Sequence, residues 1–213
     1  MSKMVKRVPG NEEIRHYPVA ECIAFRKTTE LYGGLSNMAP KYPIVICGVK
    51  VLTSEALYQA CRFPETPEIQ RMIIEQRSPM TAKDISRKYN HLTRPDWEKR
   101  RVQIMQWALN GKLLYNWKTF GELLDSTGEK YIVEDSPKDT FWGAAKDGST
   151  YSGVNALGRL LMQLRQQYRH LNGQKNIVLK SPPIENFSFL GTPIPSISVD
   201  VTNVPYGSNI RMW

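Results

Sequence analysis

The spacing of apolar residues changes period at Thr53. Upstream, apolar and β-branched residues fall in short runs. "VAECIAFRK" (19–27) predicts a strand, and "YPIVICGVKVLT" (42–53) predicts a hairpin turning at Cys47-Gly48. Between them, "YGGLSNMAP" (32–40) is turn chemistry. Downstream the period lengthens to about 3.6 residues and predicts helices over 54–63, 67–77, 80–89, 95–112 and 119–126. Pro67 and Pro95 suit first helical positions, and Gly128 suits a helix stop. "KYIVED" (130–135) reads as a short strand and "PKDTFWGAAKDGSTYSG" (137–153) as a glycine-containing loop. "NALGRLLMQLRQQYRHL" (155–171) is amphipathic, with Leu157, Leu160, Leu161, Leu164 and Tyr168 on one side.

Both ends depart from this pattern. Residues 1–18 read as a polar, loosely ordered arm. After Gly173, Pro182, Pro183, Pro193, Pro195 and Pro205 favour extended segments over helix. Phe187, Phe189, Leu190, Ile197, Val199 and Trp213 supply apolar content that argues against full disorder. The tail therefore reads as an ordered arm that packs on the body or on a second subunit, where it would support a homo-oligomer. The expected organisation is an N-terminal arm (1–18), one helix-rich α+β domain with a few short strands (19–171), and a proline-containing extension (172–213).

Composition narrows the function classes. The chain has 213 residues, enough for one sizeable core, with 41% hydrophobic and 23% charged residues. No apolar run approaches the ~20 residues that cross a bilayer. The N-terminus lacks the apolar stretch of a secretory signal, so a cytoplasmic location without membrane contact is the default expectation. Cys22, Cys47 and Cys61 form no CxxC pair, and His16, His91 and His170 are scattered. Neither a zinc site nor a disulfide framework is expected, and no metal or other cofactor.

Net charge is +9, and the densest basic cluster is "RKYNHLTRPDWEKRR" (87–101). It carries Arg87, Lys88, Arg94, Lys99, Arg100 and Arg101, interleaved with Tyr89 and Trp97. A solvated helical surface explains it; so does a phosphate-bearing ligand.

"TSEALYQACRF" (53–63) poses the sharpest question. With Thr53 or Ser54 as N-cap, Glu55 falls at the second or first helical position, so a capping box does not account for it. The helix dipole does, for only ~0.3–1 kcal/mol. Glu55, Tyr58, Gln59 and Arg62 share one face, while Ala56, Leu57, Ala60 and Cys61 make an apolar stripe. Periodicity alone leaves that face open between solvated surface and pocket wall. Ser36-Asn37 reads equally as a ligand contact or a turn satisfying its own backbone. Trp97 reads as a stacking group or as core, and Asp139 as a turn former or as the second carboxylate of a glycosidic site.

Taken in order, these segments resemble a known family. The motifs are YG..SN..P, TSE…YQA.RF, SPM.A, W…R…M..AL, D..WG and N.LGR.LM..R, spread over residues 24–169. In order and spacing they resemble the NADAR, or YbiA-like, family. The resemblance implies a compact helix-rich α+β domain that binds ribose phosphates and hydrolyses N-glycosidic bonds. Two settings are implied: removal of ADP-ribose from guanine in DNA or RNA, or cleavage of ribosylaminopyrimidine phosphates of riboflavin biosynthesis. A non-catalytic module sensing ADP-ribose or NAD is the alternative of a different class. By motif match, Glu55, Trp97 and Asp139 are the catalytic positions. Tyr32, Gly33, Ser36, Asn37, Tyr58, Gln59, Arg62, Arg87, Trp142, Gly143 and Asn155 are the binding positions. Two features depart from the pattern. Ala56 stands where the family helix usually has histidine, and the stretch after Trp142-Gly143 is longer and less glycine-dense.

Overall fold

A computed structural model describes residues 13–203. The first 12 residues of the expected arm, and Pro205 and Trp213 of the tail, lie outside the described residues. Strands β1 (Arg15–Pro18) and β2 (Cys22–Phe25) lead into the hairpin β3 (Ile44–Ile46) and β4 (Val49–Val51). Helices α1 (Ser54–Ala60), α2 (Pro67–Ile74), α3 (Pro79–Lys88), α4 (Trp97–Tyr115) and α5 (Trp117–Asp125) follow. Then come β5 (Tyr131–Glu134), β6 (Ala145–Asp147), β7 (Thr150–Gly153) and α6 (Ala156–Leu171). The tail supplies β8 (Asn176–Leu179), β9 (Ser188–Phe189), β10 (Thr192–Pro193) and β11 (Ile197–Asp200).

The expected α+β class and helix set are present. The β3–β4 turn falls at Cys47 and Gly48, both at positive φ, as a two-residue hairpin turn requires. Pro67 opens α2, but α4 starts at Trp97 and leaves Pro95 in the preceding turn. Pro79 is the proline that opens α3.

Two expectations are corrected. Residues 15–18 are not loose, because β1 pairs antiparallel with β7 from Arg15–Gly153 to Pro18–Thr150. The stretch 137–153 is not all loop, because β6 and β7 form a hairpin across Gly148, which sits at φ 54°. The Asp147-Gly148 pair is a hairpin signal that helix-oriented reading passes over.

α4 is the spindle of the fold. Its buried residues run around most of its circumference, including Ile104, Met105, Trp107, Leu109, Leu113 and the lysine Lys112. A helix apolar on every side is a core helix. α1, α5, α6, β3 and β8 pack on it. β2 and β5 pair in parallel, with Phe25 opposite Glu134, and α6 lies on β5. Leu157, Leu160, Leu161 and Leu164 are buried as the apolar stripe requires. The α5–α6 crossing is tight: a Cβ at Gly121 would lie 2.1 Å from the Tyr168 ring.

The described tail packs on the body. Ile184, Phe187, Phe189, Ile194 and Val199 join the main core. Gln70 on α2 donates to the Ser188 carbonyl at 3.0 Å and accepts from the Leu190 N–H at 2.5 Å. Among the described residues, no helix is long and apolar enough to cross a membrane.

Candidate active site

The face of α1 that periodicity left open is pocket wall. Every residue of Ser54–Ala60 is buried, Glu55 to 3% exposure. Thr53 is the N-cap, its Oγ1 accepting from the Ala56 N–H at 3.0 Å, so Glu55 stands at the second helical position. The Asn37 carbonyl accepts from both the Glu55 N–H (2.9 Å) and the Ser54 hydroxyl (3.0 Å). The Asn37 side-chain amide donates to Glu55 Oε2, and Gln59 Nε2 donates to Oε1 at 2.8 Å. Both carboxyl oxygens are thus held by neutral donors. Burial pushes the Glu55 pKa up. Lys83, the Gln59 hydrogen bond, Arg62 and Arg87 pull it back.

Glu55 faces a cavity of about 490 Å³, within the size range of sites for drug-sized ligands. Its walls differ in character. One is acidic: Glu134 ends β5, and Asp139 follows in the loop to Trp142. One is basic: Lys83 and Arg87 from α3, Arg101 from α4 and Arg62 just after α1. The third is aromatic. Tyr58 packs on Trp97 (centroids 4.8 Å apart) and edge-on to Trp142 (5.7 Å), and Trp142 meets Phe141 at 5.1 Å. Arg101 lies 3.7 Å above the Phe141 ring. Burial, with Glu55 nearby, holds the Tyr58 phenol protonated, its pKa well above the ordinary value.

Glu134 was not singled out by sequence reasoning. Its pKa is pushed up to about 7 by burial, then by the charges of Asp139 and Glu55. Its signal was faint: one polar residue closing a four-residue strand. Lys83 was also missed, and Arg101 was read only as a member of the basic cluster. Met80, Lys83 and Arg87 lie at i, i+3 and i+7 on α3, a spacing that places them on one face.

The structure brings together Glu55, Asp139, Trp97, Asn37, Tyr58, Gln59, Arg62, Arg87 and Trp142, which all line the cavity. Tyr32, Gly33, Ser36, Gly143 and Asn155 are not among its lining residues. Ser36 Oγ accepts from the Met38 N–H at 3.2 Å, a turn satisfying its own backbone. Tyr32 packs against the core. A Cβ at Gly33 would lie 2.4 Å from the Lys27 carbonyl oxygen, and one at Gly143 2.4 Å from that of Glu134. Asn155 braces β5: its Nδ2 donates to the Ile132 carbonyl (2.9 Å) and its Oδ1 accepts from the Glu134 N–H (3.3 Å).

Two residues combine roles. Arg62 lines the cavity, yet its guanidinium donates to Gln59, Ser86, Asn90 and Thr93. Asp139 Oδ1 accepts from the Phe141 and Trp142 N–H groups at 3.2 and 3.0 Å, so it shapes the loop that carries Trp142. The basic cluster is also less bare than its count. Arg94 is buried against Asp96 and the Glu185 carbonyl, Arg100 pairs with Asp96, Arg101 with Glu98 and Arg87 with Asp84.

Comparison with known proteins bears on this arrangement. The NADAR domain model matches residues 24–169, which carry every cavity-lining residue. The N-glycosidase YbiA of Escherichia coli (strain K12) is 35% identical over 159 residues, covering 73% of this chain and 94% of its own. A riboflavin biosynthesis protein of Vibrio vulnificus (strain YJ016) is 33% identical over 155 residues, and the chain spans only 41% of that relative's length. The NMR structure of E. coli YbiA superposes with a TM-score of 0.61 at 32% identity, over 72% of this chain and 88% of that one. Motifs, fold and pocket-bearing segment agree: the chain belongs to the NADAR domain family.

Proposed function

We propose that this protein hydrolyses the N-glycosidic bond between guanine and ADP-ribose in modified nucleic acid. The N-glycosidase class follows from family membership. The substrate rests on one observation: a single cavity sets carboxylates Glu55, Glu134 and Asp139 against cations Lys83, Arg87 and Arg101, with Trp97, Tyr58 and Trp142 between. The carboxylates suit an oxocarbenium-like ribose, which such groups stabilise or supply with water. The cations suit a diphosphate, whose oxygens a guanidinium matches geometrically. The aromatic wall suits a stacked ring and excludes water.

In this reading Glu55 lies under C1′ of the ribose and takes the proton of the attacking water or stabilises the cation. Trp97 and Trp142 wall the sugar and base. Asp139 holds the loop and presents its second oxygen to the ribose hydroxyls.

A second reading has its own support. A relative of 33% identity is named a riboflavin biosynthesis protein, and much of the basic cluster is neutralised by Asp84, Asp96 and Glu98. A ribosylaminopyrimidine phosphate would place its phosphate on the same cations. The two substrates are separated by incubating the protein with each and quantifying released base or ADP-ribose as salt is raised. Nucleic-acid contacts make kcat/KM fall steeply with salt. Preferential cleavage of the pyrimidine, with little salt dependence, would replace the first reading by the second.

A further inference from the structure

Cleavage of an N-glycosidic bond needs a proton for the departing base as well as a group at C1′. Given the N-glycosidase reading, on which the inference rests, we propose that Glu134 is the proton donor to the leaving nitrogen.

Glu134 is the last residue of β5, and its backbone is held on each side. Its N–H donates to Asn155 Oδ1 (3.3 Å), and its carbonyl accepts from the Ala144 N–H (2.9 Å). The next N–H, of Asp135, donates to the Phe25 carbonyl (2.9 Å). Gly143 presses so close to the Glu134 carbonyl that no side chain fits there. The carboxyl is therefore carried on a rigid element into the cavity.

The three carboxyl groups then divide by their partners. Burial raises the Glu55 pKa, but both its oxygens accept from amides, which offset part of that rise and suit it to the base role. Asp139 Oδ1 is engaged by two backbone donors. No hydrogen-bond donor reaches the Glu134 carboxyl among the described residues. The charged groups sharing its cavity are Glu55 and Arg62 from α1 and its end, Lys83 and Arg87 from α3, Glu98 and Arg101 from α4, and Asp139 from its own loop. Burial, and then the charges of Asp139 and Glu55, outweigh Lys83 and push its pKa up to about 7. Two carboxyls in one site that differ in this way are an acid and a base.

The step balances. The C1′–N bond breaks with its electron pair going to nitrogen, which takes the Glu134 proton. Water oxygen bonds to C1′ and passes a proton to Glu55. Solvent exchange returns Glu55 to carboxylate and Glu134 to acid, and the products are free sugar and neutral base.

The test is the pH dependence of kcat/KM from about pH 5.5 to about pH 9 for wild type, Glu134→Gln and Glu134→Asp. The probe is an oligonucleotide carrying ADP-ribosylated guanine, with a ribosylaminopyrimidine phosphate in parallel. Expected is a wild-type decline above about pH 7, and a Glu134→Gln rate lower by about 10²–10⁴-fold without that decline. Binding of free ADP-ribose would be unchanged. A Glu134→Gln rate within about threefold of wild type, or one that keeps the alkaline decline, overturns the assignment. Should Glu134→Gln not fold, Glu134→Asp decides: a displaced alkaline limb supports the role and an unmoved one overturns it. Wild type inert on both substrates is a different result, which sinks the N-glycosidase reading itself.

Discussion

Asn37 and Glu55 hold each other through two contacts that run in opposite directions. The Asn37 carbonyl accepts from the Glu55 backbone N–H at 2.9 Å, while the Asn37 amide donates to the Glu55 carboxylate. The first contact fixes the turn to the start of α1; the second favours a charged carboxylate in a buried site. Asn37→Ala removes only the second. Its expected effect is a Glu55 pKa driven further up, read as an acidic limb of the kcat/KM profile moved to higher pH, with affinity for ADP-ribose little altered. An unmoved limb would show that Gln59 alone sets the ionisation of Glu55.

Lys112 supports this turn from below. Its ammonium is fully buried, donates to the carbonyls of Gly34 (2.7 Å) and Ser36 (2.8 Å), and lies 4.2 Å from the Phe120 ring centroid. Burial, and then Lys41, hold its pKa well below the ordinary lysine value. Lys112→Met leaves two carbonyls without their donor, at an expected cost of about 1–3 kcal/mol in a urea titration. Activity should fall with stability, because the turn delivers Asn37. An unchanged midpoint would mean that the turn stands without the lysine.

The acidic wall makes stability depend on pH with a defined sign. Glu134 has a folded pKa of about 7 against 4.5 for an unperturbed glutamate. Between those values the folded protein binds more protons than the unfolded chain. Its contribution is thus complete below about pH 4.5 and lost as pH rises through 7. Glu55 acts in the same direction. After allowance for partial solvent screening, the Glu134 share is on the order of 2 kcal/mol. Urea midpoints at about pH 5 and about pH 8 should therefore differ less in Glu134→Gln than in wild type. An equal difference in both would show that Glu134 does not titrate in this window.

Gly158 couples α6 to the cavity from outside it. A Cβ there would meet the Ile132 carbonyl oxygen at 2.1 Å and both Asn155 side-chain amide atoms at 2.5 Å. These groups brace β5. Gly158→Ala should destabilise by about 1–3 kcal/mol or more and lower kcat by displacing Glu134. Retained stability with full activity would mean that β5 shifts freely, contrary to the rigid placement argued above.

What the sequence disclosed follows from how local each signal is. Helices and the Cys47-Gly48 turn were legible because periodicity and turn chemistry act within a few residues. Glu55, Tyr58 and Gln59 were legible as one face, but not as a buried one, because burial depends on Asn37 and α3, distant in the chain. Glu134 was hidden for the same reason: a strand of four residues has no period to expose it, and its neighbour Glu55 comes from a distant segment. The basic cluster misled in the opposite direction. Sequence counts charges, whereas Asp96 alone takes up both Arg94 and Arg100. The strand at residues 15–18 was invisible because its partner, β7, lies more than a hundred residues on.

The central claim is that Glu55 drives hydrolysis of a guanine–ADP-ribose bond, and one measurement addresses it. A duplex carrying ADP-ribosylated guanine is incubated with wild type and with folded Glu55→Gln, and free ADP-ribose is quantified over time. Expected is release by wild type and a rate about 10²–10⁴-fold lower for the variant, with binding of ADP-ribose retained. Release at equal rates by both proteins, or binding without release by wild type, would contradict it.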